Sequence, residues 1–119
     1  MYCLDTYALV EIGEGNPRFS FLLNEDYVIA DIALAEFYGV LLRGKGLAVA
    51  DAWKQRYEPY CVALSFSSLI EAVKFRFANK HLGLSFFDAV GYAFSQENGY
   101  TFVTGDQAFK GMKGVKFVK

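Results

Sequence analysis

Five short runs rich in β-branched and aromatic residues, each separated from the next by helical patterns, constrain this chain most. The runs are Met1–Leu4, Tyr27–Ala30, Tyr60–Leu64, Tyr100–Val103 and Val115–Val118. Strands joined through helices cannot be hairpin neighbours, so they pair in parallel, with helices covering both faces. The expected fold is an α/β, three-layer α/β/α sandwich on a mainly parallel sheet. Such sheets bind ligands beyond the carboxyl ends of their strands.

The connections carry recognisable helix signals. Thr6 to about Ile12 reads as a helix closed by Gly13 and Gly15, and Pro17 starts a short helix over Arg18–Leu23. Asp31 is placed to cap a helix running to about Arg43, which Gly44 and Gly46 end. Leu47–Tyr57 forms another, stopped by Pro59. Ser68-Leu-Ile-Glu71 has the pattern of a capping box opening a helix with Ile70, Val73 and Phe77 on one face, ended by Gly83. Ser85-Phe-Phe-Asp88 opens the next, through about Glu97, with Asn98-Gly99 as its stop.

Four acids stand out because each follows or interrupts an apolar stretch: Asp5, Glu36, Asp88 and Asp106. A carboxylate taken from water needs a partner, a proton or a metal ion. Each has an ordinary alternative. Asp5 can be a helix cap, Asp88 the acid of the Ser85 capping box, and Asp106 a turn or cap residue. Glu36 can be one half of an internal salt bridge, yet it is the only charge between Ile32 and Leu42, in a helix whose apolar composition predicts burial. If all four converge, they form an oxygen-only site suited to Mg²⁺ or Mn²⁺. Thr6 and Thr104 would add hydroxyls beside it.

Other chemistries find little support. His81 is the only histidine and lies at a helix end beside Lys80, which disfavours zinc and a histidine-based triad. No glycine-rich phosphate loop is present. A phosphoacceptor receiver would want a paired acid after the first strand, which Leu4-Asp5-Thr6 lacks. Hydrophobic residues make up 54% and aromatics 18%, too many for a disordered chain, and 119 residues suit one domain over 1–119. The longest uncharged apolar run is too short to span a bilayer, and no secretory signal is visible. Cys3 and Cys61 are expected to be free thiols of a cytoplasmic protein.

Net charge is −1 but uneven: residues 1–42 hold seven acids and one base, residues 43–119 eleven bases and six acids. This permits a polyanionic partner. Arg43, Lys45, Lys74, Arg76 and Lys80 flank the helices bearing or preceding the acids and are candidate contacts for such a polyanion. The carboxy-terminal lysines are weaker candidates, since they serve equally to blunt an edge strand.

Taken in chain order, Cys3-Leu-Asp-Thr, Ile32-Ala-Leu-Ala-Glu, Leu84-Ser-Phe-Phe-Asp-Ala and Phe102-Val-Thr-Gly-Asp-Gln-Ala-Phe, with Gly114-Val-Lys-Phe-Val as a closing strand, resemble the PIN-domain family, and more narrowly the ribonuclease toxins of VapBC-type toxin–antitoxin pairs. The resemblance runs nearly end to end. It implies a five-stranded parallel sheet, one or two Mg²⁺ or Mn²⁺ ions held by Asp5, Glu36, Asp88 and Asp106, metal-dependent endonucleolytic cleavage of RNA, a homodimer, and an antitoxin that silences the acidic groove. A nuclease of RNA processing or quality control without antitoxin, or a PIN-fold binding module without catalysis, are the alternatives. Two departures bear on specificity and partner rather than chemistry. Gly13–Asn24 is short and unusual for the family, and Tyr7 stands where a small or aliphatic residue is common.

Overall fold

A computed structural model describes residues 1–119 throughout. β1 (Tyr2–Leu4) and α1 (Thr6–Gly13) lead into a 3-10 segment over Pro17–Asn24. β2 (Tyr27–Ala30), α2 (Asp31–Lys45) and α3 (Leu47–Tyr57) follow, then β3 (Cys61–Val62), α4 (Phe66–Ala78), α5 (Phe86–Glu97), β4 (Thr101–Thr104) and β5 (Val115–Phe117). The sheet order is β3-β2-β1-β4-β5, with every neighbouring pair parallel.

Alternating strand residues build the two cores. Leu4, Ile29 and Val103 face one side, packed with Leu9 of α1, Phe37 and Leu41 of α2, and Ala50 and Tyr57 of α3. Their neighbours Cys3, Ala30 and Phe102 face the other side, where Phe94 and Tyr92 of α5 meet them. Helices therefore cover both faces, and the five-stranded α/β/α sandwich expected from the sequence is the fold that forms.

Several local expectations are corrected. Tyr60–Leu64 shrinks to a two-residue strand, because Pro59 holds Glu58–Tyr60 in a 3-10 turn and β3 has only β2 to pair with. Asp31 is not a cap: Ala30 occupies that position without a side-chain bond, and Asp31 is the first helical residue, where its charge suits the helix dipole. Ser68 does not open α4. Ser65 does, its Oγ accepting the Ser68 N–H at 3.1 Å. α4 stops at Ala78, where the Asn79 side chain donates to the Phe75 carbonyl, and Gly83 (φ +64) closes a 3-10 turn instead. The helix of Glu36 is not buried all round, since Val40 and Leu42 are exposed. Cys3 is buried, Cys61 is half-buried, and both are free. No helix is long and apolar enough to cross a membrane.

Candidate active site

β1 and β4 are adjacent and parallel, so their carboxyl ends deliver Asp5 and Asp106 to the same edge of the sheet. The Asp5 backbone N–H donates to the Val103 carbonyl, extending the ladder one step past β1. The chain then turns into α1, and Asp5 caps it: Oδ1 accepts the Ala8 N–H at 2.8 Å. The cap reading is thus correct, but it leaves an acid only 5% exposed. Burial, reinforced by the charges of Asp88 and Asp106, pushes its carboxyl up to about 7, although the Thr104 hydroxyl and the Ala8 N–H pull the other way.

Thr104 ends β4, and its Oγ1 accepts the Asp106 N–H at 3.0 Å. Asp106 Oδ1 in turn accepts the Ala108 N–H at 3.0 Å, starting a short 3-10 turn. Gly105 leaves room for its neighbours to close over this turn. A Cβ there would run into the Tyr7 ring and come within 2.6 Å of the Val118 carbonyl oxygen. Tyr7 is therefore accommodated by the glycine between Thr104 and Asp106, a coupling that the sequence reading passed over. The Thr-Gly-Asp triplet was its only signal.

Asp88 enters from α5. Ser85 Oγ accepts the Asp88 N–H at 3.1 Å, which is half of the expected capping box; no bond returns from the Ser85 N–H to the Asp88 carboxylate. The carboxyl has a different role. Burial is the chief cause raising it to about 6, with the charges of Asp106 and Glu36 adding to the rise and Ser85 opposing it. Glu36, half-buried on α2, is thereby tied electrostatically to the same group. None of the four acids has an ion-pair partner. The salt bridges join Lys54 to Glu58 and Lys74 to Glu71, which removes the internal salt bridge as an account of Glu36.

Asp5, Asp88 and Asp106 repel one another across a shared space, and Glu36 reaches it through Asp88. The expected tight cluster is not present: no three of these side chains close into a ready-made metal cage. Uncompensated carboxylates repel, and spacing them apart lowers that cost. The donor set still fits a hard divalent cation. It is all oxygen, buried at Asp5 and half-buried at the other three acids, and short of positive charge. Thr6 serves elsewhere, its hydroxyl donating to the Ala33 carbonyl at 3.4 Å and joining α1 to α2.

The candidate RNA contacts are spread unevenly. Arg43 and Lys45 lie near the end of α2, about 10–14 Å along the helix axis from Glu36. The Arg43 guanidinium folds back toward Gly39, shortening that gap. Lys74 is occupied by Glu71 at 3.1 Å. Arg76 reaches the loop before Asp88, its Nε donating to the Leu84 carbonyl at 3.1 Å. Lys80 is exposed and has no carboxylate partner.

The family model described as PIN domain matches residues 2–115. Among solved structures, the chain is similar to one in a toxin–antitoxin complex from Klebsiella pneumoniae, with 17% identity, a TM-score of 0.78, and 98% of this chain and 96% of that one covered. It is also similar to VapC20 of Mycobacterium tuberculosis, a sarcin-ricin loop cleaving toxin, with 19% identity, a TM-score of 0.72, and 85% of each chain covered. At such identities the likeness is one of fold. No curated protein matches the sequence.

Proposed function

The chain belongs to the PIN-domain family, and from that premise we propose that it is a Mg²⁺- or Mn²⁺-dependent endoribonuclease, the toxin of a toxin–antitoxin pair. The observation that carries this reading is the electrostatic coupling of Asp5, Asp88, Asp106 and Glu36 at the carboxyl ends of parallel strands, with no cation among them. A structural role needs caps at those places, but it does not need several acids facing one another.

In this reading Asp5, Glu36, Asp88 and Asp106 hold the divalent ion. When bound, the ion supplies Lewis acidity to a water and to the phosphodiester, and it neutralises developing charge. The chain supplies the rest. Asp5 and Asp106 are fixed by their own caps, so their oxygens are oriented before substrate arrives. Thr104 orients the Asp106 backbone. Basic residues on α2 and α4 counter the repulsion that the acidic site exerts on RNA.

The same charge distribution suits an antitoxin that inserts a basic anchor, most simply an arginine whose guanidinium pairs two carboxylates at once. Fold neighbours described as a toxin–antitoxin complex and as a sarcin-ricin loop cleaving toxin support the partner and substrate class. The protein is proposed to act in the cytoplasm as a homodimer. The test is RNA cleavage with Mg²⁺ or Mn²⁺ by the purified chain and by Asp88→Asn, which keeps the fold and loses cleavage. Cleavage undiminished in the folded variant overturns the site. Growth arrest relieved by a co-expressed small partner supports the toxin role, and harmless expression of an active enzyme assigns the chain to RNA processing instead.

A further inference from the structure

α4 places Phe66, Ile70, Val73 and Phe77 along one stripe, and all four are exposed, Phe77 by 72%. Large apolar side chains lying in water at regular helical spacing call for an explanation. At the carboxyl end of the stripe the surface is not merely apolar. Val73, Arg76, Phe77, Asn79, Lys80 and Leu84 line an open cleft of about 340 Å³. The Lys80 ammonium stands 4.3 Å from the centre of the Phe77 ring, and neither Lys80 nor Arg76 has a carboxylate partner. Arg76 uses Nε to hold the Leu84 carbonyl, leaving its terminal nitrogens available. Leu84 immediately precedes Ser85, whose hydroxyl holds the Asp88 N–H. The cleft thus opens against the loop that presents one of the four acids.

We propose that this cleft is a subsite for one nucleotide of single-stranded RNA beside the scissile position, with the Phe77 ring stacking the base and Arg76 and Lys80 meeting the adjacent phosphates. The assignment rests on the ribonuclease reading above and adds the residues that would take up the strand. An exposed ring flanked by free cations is the combination that binds single strands, because every base has a face to stack while its phosphates need neutralising. A duplex would bury its base faces and leave Phe77 idle. A purely apolar partner would leave Arg76 and Lys80 without a role. The acids require such a device nearby, since they repel the substrate they would act on.

The test uses the full chain carrying Asp88→Asn, in Mg²⁺, titrated with a labelled eight-nucleotide single-stranded RNA and with the same RNA annealed to its complement. Phe77 and Lys80 are exposed, so their substitution leaves the fold intact. Phe77→Ala is expected to weaken single-strand binding by roughly fivefold to a hundredfold, the range for losing one stacked base, while Phe77→Tyr retains it. Lys80→Ala is expected to flatten the salt dependence by about one phosphate contact. The duplex is expected to bind more weakly and to be indifferent to Phe77→Ala. In the chain with Asp88 intact, Phe77→Ala raises KM and spares kcat.

Wild-type affinity in Phe77→Ala, with RNA cleavage intact, overturns the subsite and leaves the nuclease reading standing. Phe77-dependent single-strand binding by a chain that cleaves nothing with any divalent ion supports the subsite and overturns the nuclease. A chain that neither binds nor cleaves overturns both. If Phe77→Ala changes the oligomeric state but not RNA affinity, the ring belongs to an interface between copies and the subsite is wrong.

Discussion

Removing divalent ions should make this protein more stable in mild acid than at slightly alkaline pH. Asp5 has a folded carboxyl raised to about 7, against an ordinary value of 3.8. Its proton therefore binds the folded chain more tightly than the unfolded one. The resulting stability is complete below the unfolded value and is lost as pH rises through about 7. Asp88, raised to about 6, acts in the same direction. Between pH 8 and pH 5, Asp5 alone contributes about 3 kcal/mol and Asp88 about 1 kcal/mol. The two repel each other, so their joint effect is smaller than the sum, about 3 kcal/mol. The measurement is urea unfolding in chelator at pH 5, 6, 7 and 8, followed by the fluorescence of the single tryptophan, Trp53, which stacks on Tyr57 inside the fold. Asp5→Asn keeps the cap on Ala8, because an amide oxygen accepts the same bond, but it cannot titrate, so most of the pH dependence should vanish. Mn²⁺ added at pH 8 should recover stability in wild type and not in Asp5→Asn. A metal-free protein equally stable at pH 5 and pH 8, or an Asp5→Asn variant with the wild-type slope, would refute the reasoning.

Gly105→Ala forces a methyl group into the Tyr7 ring and the Val118 carbonyl, so it should lower stability by about 1–3 kcal/mol, read as a lower urea midpoint, and Tyr7→Ala should recover part of the loss. Replacing both Arg43 and Lys45 by alanine in a cleavage-dead background should flatten the salt dependence of RNA binding by at most two phosphate contacts, and an unchanged slope would assign them to solvation. Ser85→Ala removes the cap that holds the Asp88 N–H, so it should cost about 1 kcal/mol of stability and reduce cleavage without abolishing it, measured by unfolding and by initial rates on one RNA.

Strand and helix alternation was legible because each side of the sheet buries alternate residues. Leu4 against Cys3, and Val103 against Phe102, leave a pattern that only a doubly covered strand produces. Caps were legible where a hydroxyl or acid truly begins a helix, as at Ser85, and misleading where two candidates stood close together, as at Ser65 and Ser68. In α4, Ile70, Val73 and Phe77 do share one face, yet that face is exposed. The helix docks through Leu69, Ala72 and Phe75, with Ala72 meeting Ala89, Val90 and Ala93, and the bulky stripe turns outward. Periodicity says that a face exists and not whether that face is covered. At the site, the ends of elements identified the acids, and the Asp5 cap and the Ser85-bound Asp88 show how the ordinary role and the charged role share one residue. The spacing among the carboxylates depends on how strands and helices stack, and no local pattern encodes that.

The strand order also sets a timetable. β1 lies at the middle of the sheet, and its Tyr2 pairs on one side with Tyr27 and on the other with Thr101. During synthesis the first strand gains one neighbour early and waits about 100 residues for the second, roughly 5–20 s at common elongation rates. Throughout that wait Asp5 has neither the Val103 carbonyl that fixes its backbone nor the Asp88 and Asp106 charges that act on it. The proposed site is therefore incomplete until β4 has been made. Under the toxin reading proposed above, that order delays the hazard until late in the synthesis of this domain.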